Sequence, residues 1–415
     1  MREMKDSGIE WIGQIPKDWD VVPHKRVMHK VKKICEQYNG EDIISLTMNG
    51  VIKRDLTAGG KMPTSFDGYQ YVKPNDLLLC LFDIDVTPRC VGVVKDYGVT
   101  SPAYSRFVMH DGYYNAYYDY LLRAIDDDKV FVHLSKNLRS SLTESDFGAI
   151  KTCVPSLAEQ EHIAAFLDAE CAEIDTVLEK TRASIEEYKK LKQAVITQAV
   201  TKGIRGDRPM KDSGIEWIGD IPAEWGVVPH KRIMHKVKEI CEQYNGEDII
   251  SLTVNGVVKR DLTAGGKMPT SFDGYQYVEP NDLLLCLFDI DVTPRCVGVV
   301  RDYGVTSPAY SRFVMYDGYY NAYYDYLLRM IDDNKVFVHL SKNLRSSLTE
   351  SDFGAIKTCA PPLAEQKCIA AFLDVRCDEI DALIAKKQQY LAEIENYKKS
   401  LIYEYVTGKK EVHPL

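Results

Sequence analysis

The chain has 415 residues, of which 45% are apolar and 27% are charged. This composition is typical of a folded protein with two or three domains and not of a disordered or fibrous one. The formal net charge is −9, so binding to nucleic acid or to anionic lipid would need local basic patches or partner proteins. No apolar run reaches the roughly 18 residues of a membrane span, and the first residues lack the pattern of a signal peptide. The 11 cysteines include no C-x-x-C pair, which predicts no metal site and favours reduced thiols in the cytoplasm.

Residues 1–155 are predicted to form a mixed α/β domain. Short β-rich runs, Asp42–Met48, Gln70–Val72 and Asp76–Phe82, alternate with Gly-, Asn- and Pro-containing turn signals. Residues Asn115–Asp127 have helical spacing, with several tyrosines on one face. Five tyrosines in this helix and directly before it could stack on bases, but their helical spacing favours packing in the core. They are Tyr113, Tyr114, Tyr117, Tyr118 and Tyr120.

The next segment is predicted to be one long helix. From Leu157 to Lys202 there is no Gly and no Pro, and apolar residues recur every three or four positions. A helix of this length spans roughly 60 Å at ~1.5 Å per residue. Its apolar stripe requires a partner helix, and Gly203 stands where a helix C-cap belongs.

The second half of the chain repeats the first at a constant offset of 206 residues. Between Val21 and Cys153, only nine of 133 positions differ from their repeats, whereas from Ala169 to Thr201 only ten of 33 positions match. The chain therefore divides into two domains (1–155 and 204–361), a central helix (156–203), and a C-terminal helix with a tail (362–415).

The two long helices are the obvious partners for each other. If they pack antiparallel, a rotation near 180 degrees relates the two halves of the chain as a pseudo-two-fold axis. The predicted fold class is α+β: two mixed α/β domains joined by two long antiparallel helices in a coiled-coil rod. The positions expected to pack in the rod are Leu167, Ile174, Leu178, Ile185 and Leu191 of the first helix and Leu373, Ile380, Ile384, Leu391 and Leu401 of the second.

The common catalytic motifs are missing from the sequence. It contains no phosphate-binding loop, dinucleotide fingerprint, nucleophile elbow or zinc helix, and no Asn- or Asp-Pro-Pro-aromatic motif of amino-methyltransferases. Asp83 and Asp85 could form an acidic pair for a metal, but their position before Pro88 favours a turn. We therefore expect no catalysis by this chain alone. An unrecognised nuclease or transferase activity in the repeated domain is the enzyme alternative.

Some charged residues are interpreted as ordinary surface. His24 and Lys25 are read as a solvated basic segment, and Lys95 and Arg123 as solvated surface charges.

Four strings in the sequence resemble segments of one known family, the DNA specificity subunits of type I restriction-modification enzymes. The strings are KDSGIEWIGQIPKDW (Lys5–Trp19) with its repeat, VGVVKDYGVTSPAY (Val91–Tyr104), SLAEQEHIAAFLD (Ser156–Asp168) and PLAEQKCIAAFLD (Pro362–Asp374). The resemblance covers nearly the whole chain, in the order recognition domain, helix, recognition domain, helix.

The resemblance implies a non-catalytic subunit. Each target recognition domain would read one half of a bipartite site in double-stranded DNA, and the helices would set the spacer and bind two modification subunits. S-adenosylmethionine, ATP and Mg²⁺ would belong to the modification and restriction (motor-nuclease) subunits, with no cofactor on this chain. The complex would direct adenine-N6 methylation and restriction in the cytoplasm, as a defence against phage.

The chain departs from the family pattern in one respect. Family members normally carry two unrelated recognition domains, whereas the two domains here are almost the same. Domains with the same reading residues should read the same bases. We therefore expect the site to be an interrupted inverted repeat. A two-headed protein-binding scaffold that does not act on DNA is the alternative.

Base-reading residues are expected among Arg, Lys, Asn, Gln, Ser and Thr on loops at strand ends. Residues Val21–Cys153 hold 17 Lys and Arg against 16 Asp and Glu, so local clusters must bind the DNA. The clusters lie at residues 49–61, 87–89, 101–106 and 135–141, and the last, SKNLRSS, is the first choice. The predicted DNA-binding residues are Lys53, Arg54, Arg89, Tyr104, Arg106, Lys136, Asn137, Arg139 and Ser140, with their repeats Lys259, Arg260, Arg295, Tyr310, Arg312, Lys342, Asn343, Arg345 and Ser346.

Overall fold

The computed structural model of the chain describes residues 2–48, 50–57, 63–87, 89–135, 140–254, 256–263, 269–293, 295–341 and 346–412. Contacts divide the chain into two units. Unit 1 comprises Met1–Arg182 and Gln389–Leu415, and unit 2 comprises Ala183–Gln388. Each unit therefore contains one of the two repeated domains and a part of both long helices.

Domain 1, the repeated domain in unit 1, is built from short strands and three short helices. They are β1 (Met4–Asp6), β2 (Gln14–Pro16), β3 (Asp20–Pro23), β4 (Met28–Val31), β5 (Ile44–Thr47), β6 (Gly50–Lys53), β7 (Gln70–Val72), β8 (Leu77–Leu79), β9 (Val91–Val93), β10 (Gly98–Thr100), β11 (Ser105–Met109), α1 (Asn115–Asp127), α2 (Val130–Leu134), α3 (Glu144–Ala149) and β12 (Lys151–Val154). The long helix α4 (Leu157–Lys202) follows.

Domain 2, the repeated domain in unit 2, has its elements in the same order. Its elements are β13 (Met210–Asp212), β14 (Asp220–Pro222), β15 (Gly226–Pro229), β16 (Met234–Val237), β17 (Ile250–Thr253), β18 (Gly256–Lys259), β19 (Gln276–Val278), β20 (Leu283–Leu285), β21 (Val297–Val299), β22 (Gly304–Thr306), β23 (Ser311–Met315), α5 (Asn321–Asp333), α6 (Val336–Leu340), α7 (Glu350–Ala355) and β24 (Lys357–Ala360). The second long helix, α8 (Leu363–Val406), completes the chain's elements.

A four-stranded antiparallel sheet with the order β4-β11-β8-β9 organises domain 1. All three leucines of β8 are buried, because the sheet is covered on both faces. Successive side chains of a strand point to opposite faces, so Leu77 and Leu79 join the main core while Leu78 joins a smaller cluster with Val94. Domain 2 has the same sheet, with the order β16-β23-β20-β21.

Helix α1 spans Asn115–Asp127, as the spacing predicts. Its tyrosines Tyr117, Tyr118 and Tyr120 are buried in the main core of domain 1. The rings of Tyr117 and Tyr118 pack edge to face, with 5.1 Å between their centroids. The prediction of core packing is confirmed for these three tyrosines and for the partly buried Tyr113, whereas Tyr114 is exposed.

The two long helices have the predicted form. Both end at a glycine with positive φ, Gly203 (76°) and Gly408 (69°), as expected for helix C-caps. Within unit 1, Asp175 of α4 pairs with Lys398 of α8 (2.6 Å) and Arg182 pairs with Glu395 (2.6 Å). The residue number in α4 rises from 175 to 182 while that of the partner in α8 falls from 398 to 395. The two helices are therefore antiparallel within this unit.

Unit 2 shows the same antiparallel arrangement. Lys192 of α4 lies 2.6 Å from Asp381 of α8, and the ammonium group of Lys387 lies 5.7 Å from the ring centre of Tyr188. The predicted α+β class with two long antiparallel helices is confirmed, and the pseudo-two-fold axis stays a prediction.

The end of each long helix completes the core of one of the two domains. The backbone carbonyl of Val406, at the end of α8, accepts a hydrogen bond from the hydroxyl of Tyr117 in domain 1 (2.8 Å). A Cβ atom on Gly408 would lie 2.4 Å from the ring of Pro16, so the turn after the helix packs closely on domain 1. In domain 2, the hydroxyl of Tyr323 donates to the carbonyl of Val200, at the end of α4 (2.8 Å).

The apolar stripe of the helices needs one correction. The structure buries Leu167, Leu178, Ile185, Leu373, Ile380 and Leu401 and half-buries Ile174, Ile384 and Leu391. Leu191 was expected in the same stripe, but 46% of it is exposed. The buried and half-buried positions of α4 alternate in steps of four and three through Ile174, Leu178, Thr181, Ile185, Tyr188, Lys192 and Val195. Lys192 occupies the position next to Leu191, which therefore points to solvent.

Candidate nucleic-acid interface

The favoured cluster, SKNLRSS, is described only at its ends. The central predicted DNA-binding residues of the cluster and of its repeat lie outside the described residues. They are Lys136, Asn137, Arg139, Lys342, Asn343 and Arg345. Ser140 and Ser346 are described, with φ angles of 44° and 43°, in the left-handed region that few residues other than Gly adopt. The carbonyl of Ser140 accepts a hydrogen bond from the amide of Ile84 (3.0 Å).

This hydrogen bond joins the end of the SKNLRSS cluster to the loop that precedes Arg89. A second one, from the amide of Leu142 to the carbonyl of Leu81 (2.8 Å), extends the pairing between the segment after SKNLRS and the loop that leads to Arg89. Domain 2 repeats the contact, with the amide of Ile290 3.0 Å from the carbonyl of Ser346. On each domain, the described end of the SKNLRSS cluster therefore lies beside the segment that leads to Arg89 or Arg295.

The loop before Arg89 is held by a turn. The carbonyl of Asp83 accepts hydrogen bonds from the amide of Thr87 (2.9 Å) and from its hydroxyl (2.8 Å). Asp83 itself has a φ of 47°. These contacts confirm that Asp83 and Asp85 flank a turn. Among the described residues, no group of three or more His, Cys, Asp or Glu is placed to hold a metal ion.

Arg89 and Arg295 are anchored on the helix that follows them. The Nη1 atom of Arg89 lies 3.0 Å from a carboxylate oxygen of Asp127 at the end of α1. Arg295 lies 3.5 Å from Asp333 of α5 and donates to the carbonyl of Val254 (3.2 Å). Both side chains are partly buried, so they lie at the rim of the loop pair, and their contact with DNA stays a prediction.

Arg106 and Arg312 correct the sequence-based expectation. Arg106 is 9% exposed, and its guanidinium group donates to the carboxylate of Asp76 (2.6 Å) and to the carbonyl of Tyr71 (3.1 Å). Arg312 makes the same bond to Asp282 (2.6 Å). Buried charges of this kind are retained in pairs. These two arginines therefore tie β11 and β23 to the loops before the neighbouring strands β8 and β20 and are not available to bases.

Lys53 and Lys259 are exposed at the ends of β6 and β18. Each ammonium group lies 2.7 Å from an aspartate, Asp42 for Lys53 and Asp248 for Lys259, and this carboxylate raises the pKa of Lys259. An exposed ion pair is weak, so either lysine can exchange its carboxylate for a phosphate. Arg54 and Arg260 follow them in the chain, and all four remain predicted DNA contacts.

Tyr104 and Tyr310 are half-buried. The ring of Tyr104 packs against the small cluster that includes Leu78, and its carbonyl accepts a hydrogen bond from the side-chain amide of Gln70 (2.6 Å). Burial raises the pKa of Tyr104. These contacts fix the 101–106 loop, while base contact by the exposed part of the ring stays a prediction.

The interpretation of His24 as a solvated residue is wrong. His24 is fully buried, its ring packs 4.7 Å from that of Phe147, and neither ring nitrogen has a hydrogen-bond partner among the described residues. Burial lowers the pKa of His24 to about 4 and that of its repeat, His230, to about 3. The neighbouring Lys25 is exposed as expected.

Among the described residues, no helix combines the length and the apolar composition needed to cross a membrane.

The sequence matches no family model. Over 97% of its length, the chain is 23% identical to the MjaX specificity subunit assigned to a type I restriction enzyme of Methanocaldococcus jannaschii, 96% of which is covered. It is also 26% identical to the type I restriction enzyme MjaVIII specificity subunit of that organism, over 65% of this chain and 64% of that protein.

A solved structure shares the fold. A chain from work on complex assembly and conformational transition of the type I R-M system superimposes with a TM-score of 0.72, over 95% of this chain and 99% of that chain, at 14% identity. The comparisons confirm the resemblance predicted from the sequence: along nearly its whole length, this chain is similar to specificity subunits of type I restriction enzymes.

Proposed function

We propose that this chain is the DNA specificity subunit of a type I restriction-modification complex and that it reads an interrupted inverted repeat. The two curated relatives are specificity subunits, which supports DNA recognition as the role of this chain, with catalysis left to partner subunits in this proposal. Its proposed partners are double-stranded DNA, two modification subunits and the restriction subunits, in the cytoplasm. S-adenosylmethionine, ATP and Mg²⁺ are assigned to those partner subunits.

The observation that carries the inverted-repeat proposal is the near identity of the two domains in sequence and in local geometry. The exposed Lys53–Asp42 pair recurs as Lys259–Asp248 at the same distance of 2.7 Å. The loop contact of Ser140 recurs at Ser346 with the same length of 3.0 Å. Identical side chains in identical loops present the same donors and acceptors to base edges. Under the pseudo-two-fold axis predicted from the sequence, two such domains would read the same sequence on opposite strands.

The most direct test is co-expression of the chain with the modification subunit encoded beside it, followed by genome-wide mapping of methylated adenines. We expect one motif with two short arms that are reverse complements of each other, separated by unspecified bases. A motif with two dissimilar arms would refute the inverted repeat but leave the specificity-subunit role intact. No methylation above that of the modification subunit alone would refute the role itself.

The scaffold alternative is favoured only by the near-neutral charge of the domains, with 17 Lys and Arg against 16 Asp and Glu between Val21 and Cys153. A gel-shift titration at low and high salt, with and without the modification subunit, separates the two functions. A specificity subunit binds DNA with an affinity that falls steeply as salt rises, because phosphate contacts release counterions. A scaffold shows no such binding.

A further inference from the structure

A cleft of about 930 Å³ lies within unit 2, between domain 2 and the two long helices. The cations that line it are Lys189 and Lys192 of α4 and Arg295, Arg301, Arg329 and Lys335 of domain 2. Its acidic residues are Asp333, Asp374, Asp378 and Asp381. The lining residues thus carry six positive and four negative charges, and two of the cations, Lys189 and Arg329, pair with carboxylates of Glu186 and Asp325 outside the lining.

Several of these cations are already paired with carboxylates. Lys192 lies 2.6 Å from Asp381, and Arg329 lies 2.7 Å from Asp325 on its own helix. Arg301 and Lys335 differ from them, because both are exposed and neither has an ion-pair partner among the described residues. These two side chains carry the charge that the cleft can offer to a ligand.

The cleft adjoins the loops predicted to read bases. Arg295, on its wall, ends the loop whose Ile290 amide bonds to the carbonyl of Ser346 (3.0 Å). Lys335, also on the wall, immediately precedes α6, and α6 leads into the cluster that repeats SKNLRSS. A DNA strand held by these loops would have its backbone next to the cleft.

The charge balance recurs at the matched positions of unit 1. Three cations have a cation at the position that matches them in the repeat: Arg301 matches Lys95, Lys335 matches Lys129, and Lys192 matches Lys398. At two further positions the residue type differs: Lys189 matches Glu395, and Gln193 matches Lys399. The two long helices differ at most matched positions. The lysine of position 189 is absent from position 395, but position 399 has a lysine that position 193 lacks, so the number of cations is the same. The excess of cations is therefore a property of both halves of the chain.

We propose that this cleft binds the sugar-phosphate backbone of the DNA that flanks the half-site read by domain 2, with Arg301 and Lys335 as its phosphate contacts. Such contacts fix the position of the protein on the duplex and carry no sequence information. The inference rests on the proposed function, because it assigns a second surface to the same DNA.

The test uses the full chain with its modification subunit and a duplex that carries the motif recovered by methylation mapping. The double variant Arg301→Gln, Lys335→Gln should bind this duplex about tenfold more weakly near 0.1 M salt, and the slope of log K against log salt should fall by roughly 2, at ~0.9 per phosphate contact. The methylated motif should not change. The single variant Arg301→Lys should retain binding, because a phosphate contact requires the charge and position 95 of unit 1 carries lysine.

The matched control is Lys211→Gln with Lys386→Gln, which removes two exposed lysines of unit 2 from outside the cleft. Thermal melting checks that both double variants are folded. If the wild type binds DNA and the cleft variant matches the control in affinity and slope, the inference is overturned. A relaxed motif would show base contacts instead, and weakened assembly with the modification subunit at unchanged DNA affinity would show a protein ligand; either result also overturns it. If the wild type itself shows no salt-dependent binding, the proposed function fails first.

Discussion

His24 and His230 lie in the centre of the two recognition domains, each against a phenylalanine ring at 4.7 Å and 4.6 Å between centroids. An imidazole without hydrogen-bond partners can be buried only in its neutral form, since a buried charge without a partner is strongly unfavourable. Both domains therefore contain a core residue that resists protonation in the folded state and accepts it readily when unfolded.

We expect the free energy of unfolding to fall as the pH drops from 6.5 towards 4. An unfolded histidine takes up a proton near pH 6.5, whereas folded His24 does so only near pH 4 and His230 near pH 3. In this interval the unfolded state binds more protons, so acid favours it, by up to about 3 kcal/mol per histidine. Urea unfolding at several pH values should show this loss, and His24→Phe with His230→Phe should flatten it.

His162→Gln, at an exposed position of α4, is the control for the histidine variants and should keep the wild-type pH dependence. An equally steep loss of stability in the double phenylalanine variant would mean that other groups cause it.

The sequence could not have revealed either of the buried polar sites. Arg106 and its partner Asp76 are 30 residues apart, and only the pairing of β11 with β8 brings them together. His24 stands in a run of basic residues, His24–Arg26, whose composition indicates solvent exposure although its first member faces inward. Local composition reports the average environment of a segment, whereas burial of one side chain depends on tertiary contacts.

Among the elements, the long helices show most clearly what a pattern can predict. The absence of Gly and Pro gave α4 its bounds of Leu157–Lys202, because backbone propensity is read locally. The register of its buried face was harder to predict, since that face includes polar side chains. Thr181 is buried there, and its hydroxyl donates a hydrogen bond to the carbonyl of Val177 (2.8 Å). A prediction that admits only apolar residues to the buried face therefore chooses Leu191 instead of Lys192.

Ile185 and Leu191 provide a matched pair to test this register, because both are apolar residues of α4 within unit 2. Ile185→Ala should lower the free energy of unfolding by about 2–4 kcal/mol, since Ile185 is buried and leaves a cavity. Leu191→Ala should change it by less than ~0.5 kcal/mol, because Leu191 is exposed. The urea midpoint of each variant is the measurement. Equal losses at the two positions would show that Leu191 packs against the partner helix in solution.

For the whole molecule, the central feature is that each recognition domain takes part of its core from a helix end distant in sequence. Leu401, Ile402 and Val406 of α8 belong to the core of domain 1. Ala199 and Val200, at the end of α4, belong to the core of domain 2. Each domain also packs on the start of the long helix that follows it, so both helices are anchored at both ends.

We therefore expect deletion of residues 401–412 to destabilise domain 1 selectively. Hydrogen exchange followed by mass spectrometry should show loss of amide protection across the strands of domain 1, while the strands of domain 2 stay protected. The internal control is Val200→Asp, which places a charge at the equivalent site of unit 2 and should give the opposite result. Loss of protection in both domains by either change would show that the two units unfold as one.

The same feature has a consequence for synthesis of the protein on the ribosome. The thiol of Cys153 in domain 1 and the carbonyl of Val406 that it contacts are separated by 253 residues. At about 5–20 residues per second, translation takes roughly 13–50 s to cover that distance. During that time the first-made domain has an open apolar site while the nascent chain presents a nearly identical second domain and the end of α4, which fits the same kind of site. A newly made chain therefore passes through a stage in which the end of α4, which belongs to domain 2, has been synthesised, whereas the end of α8, which belongs to domain 1, has not.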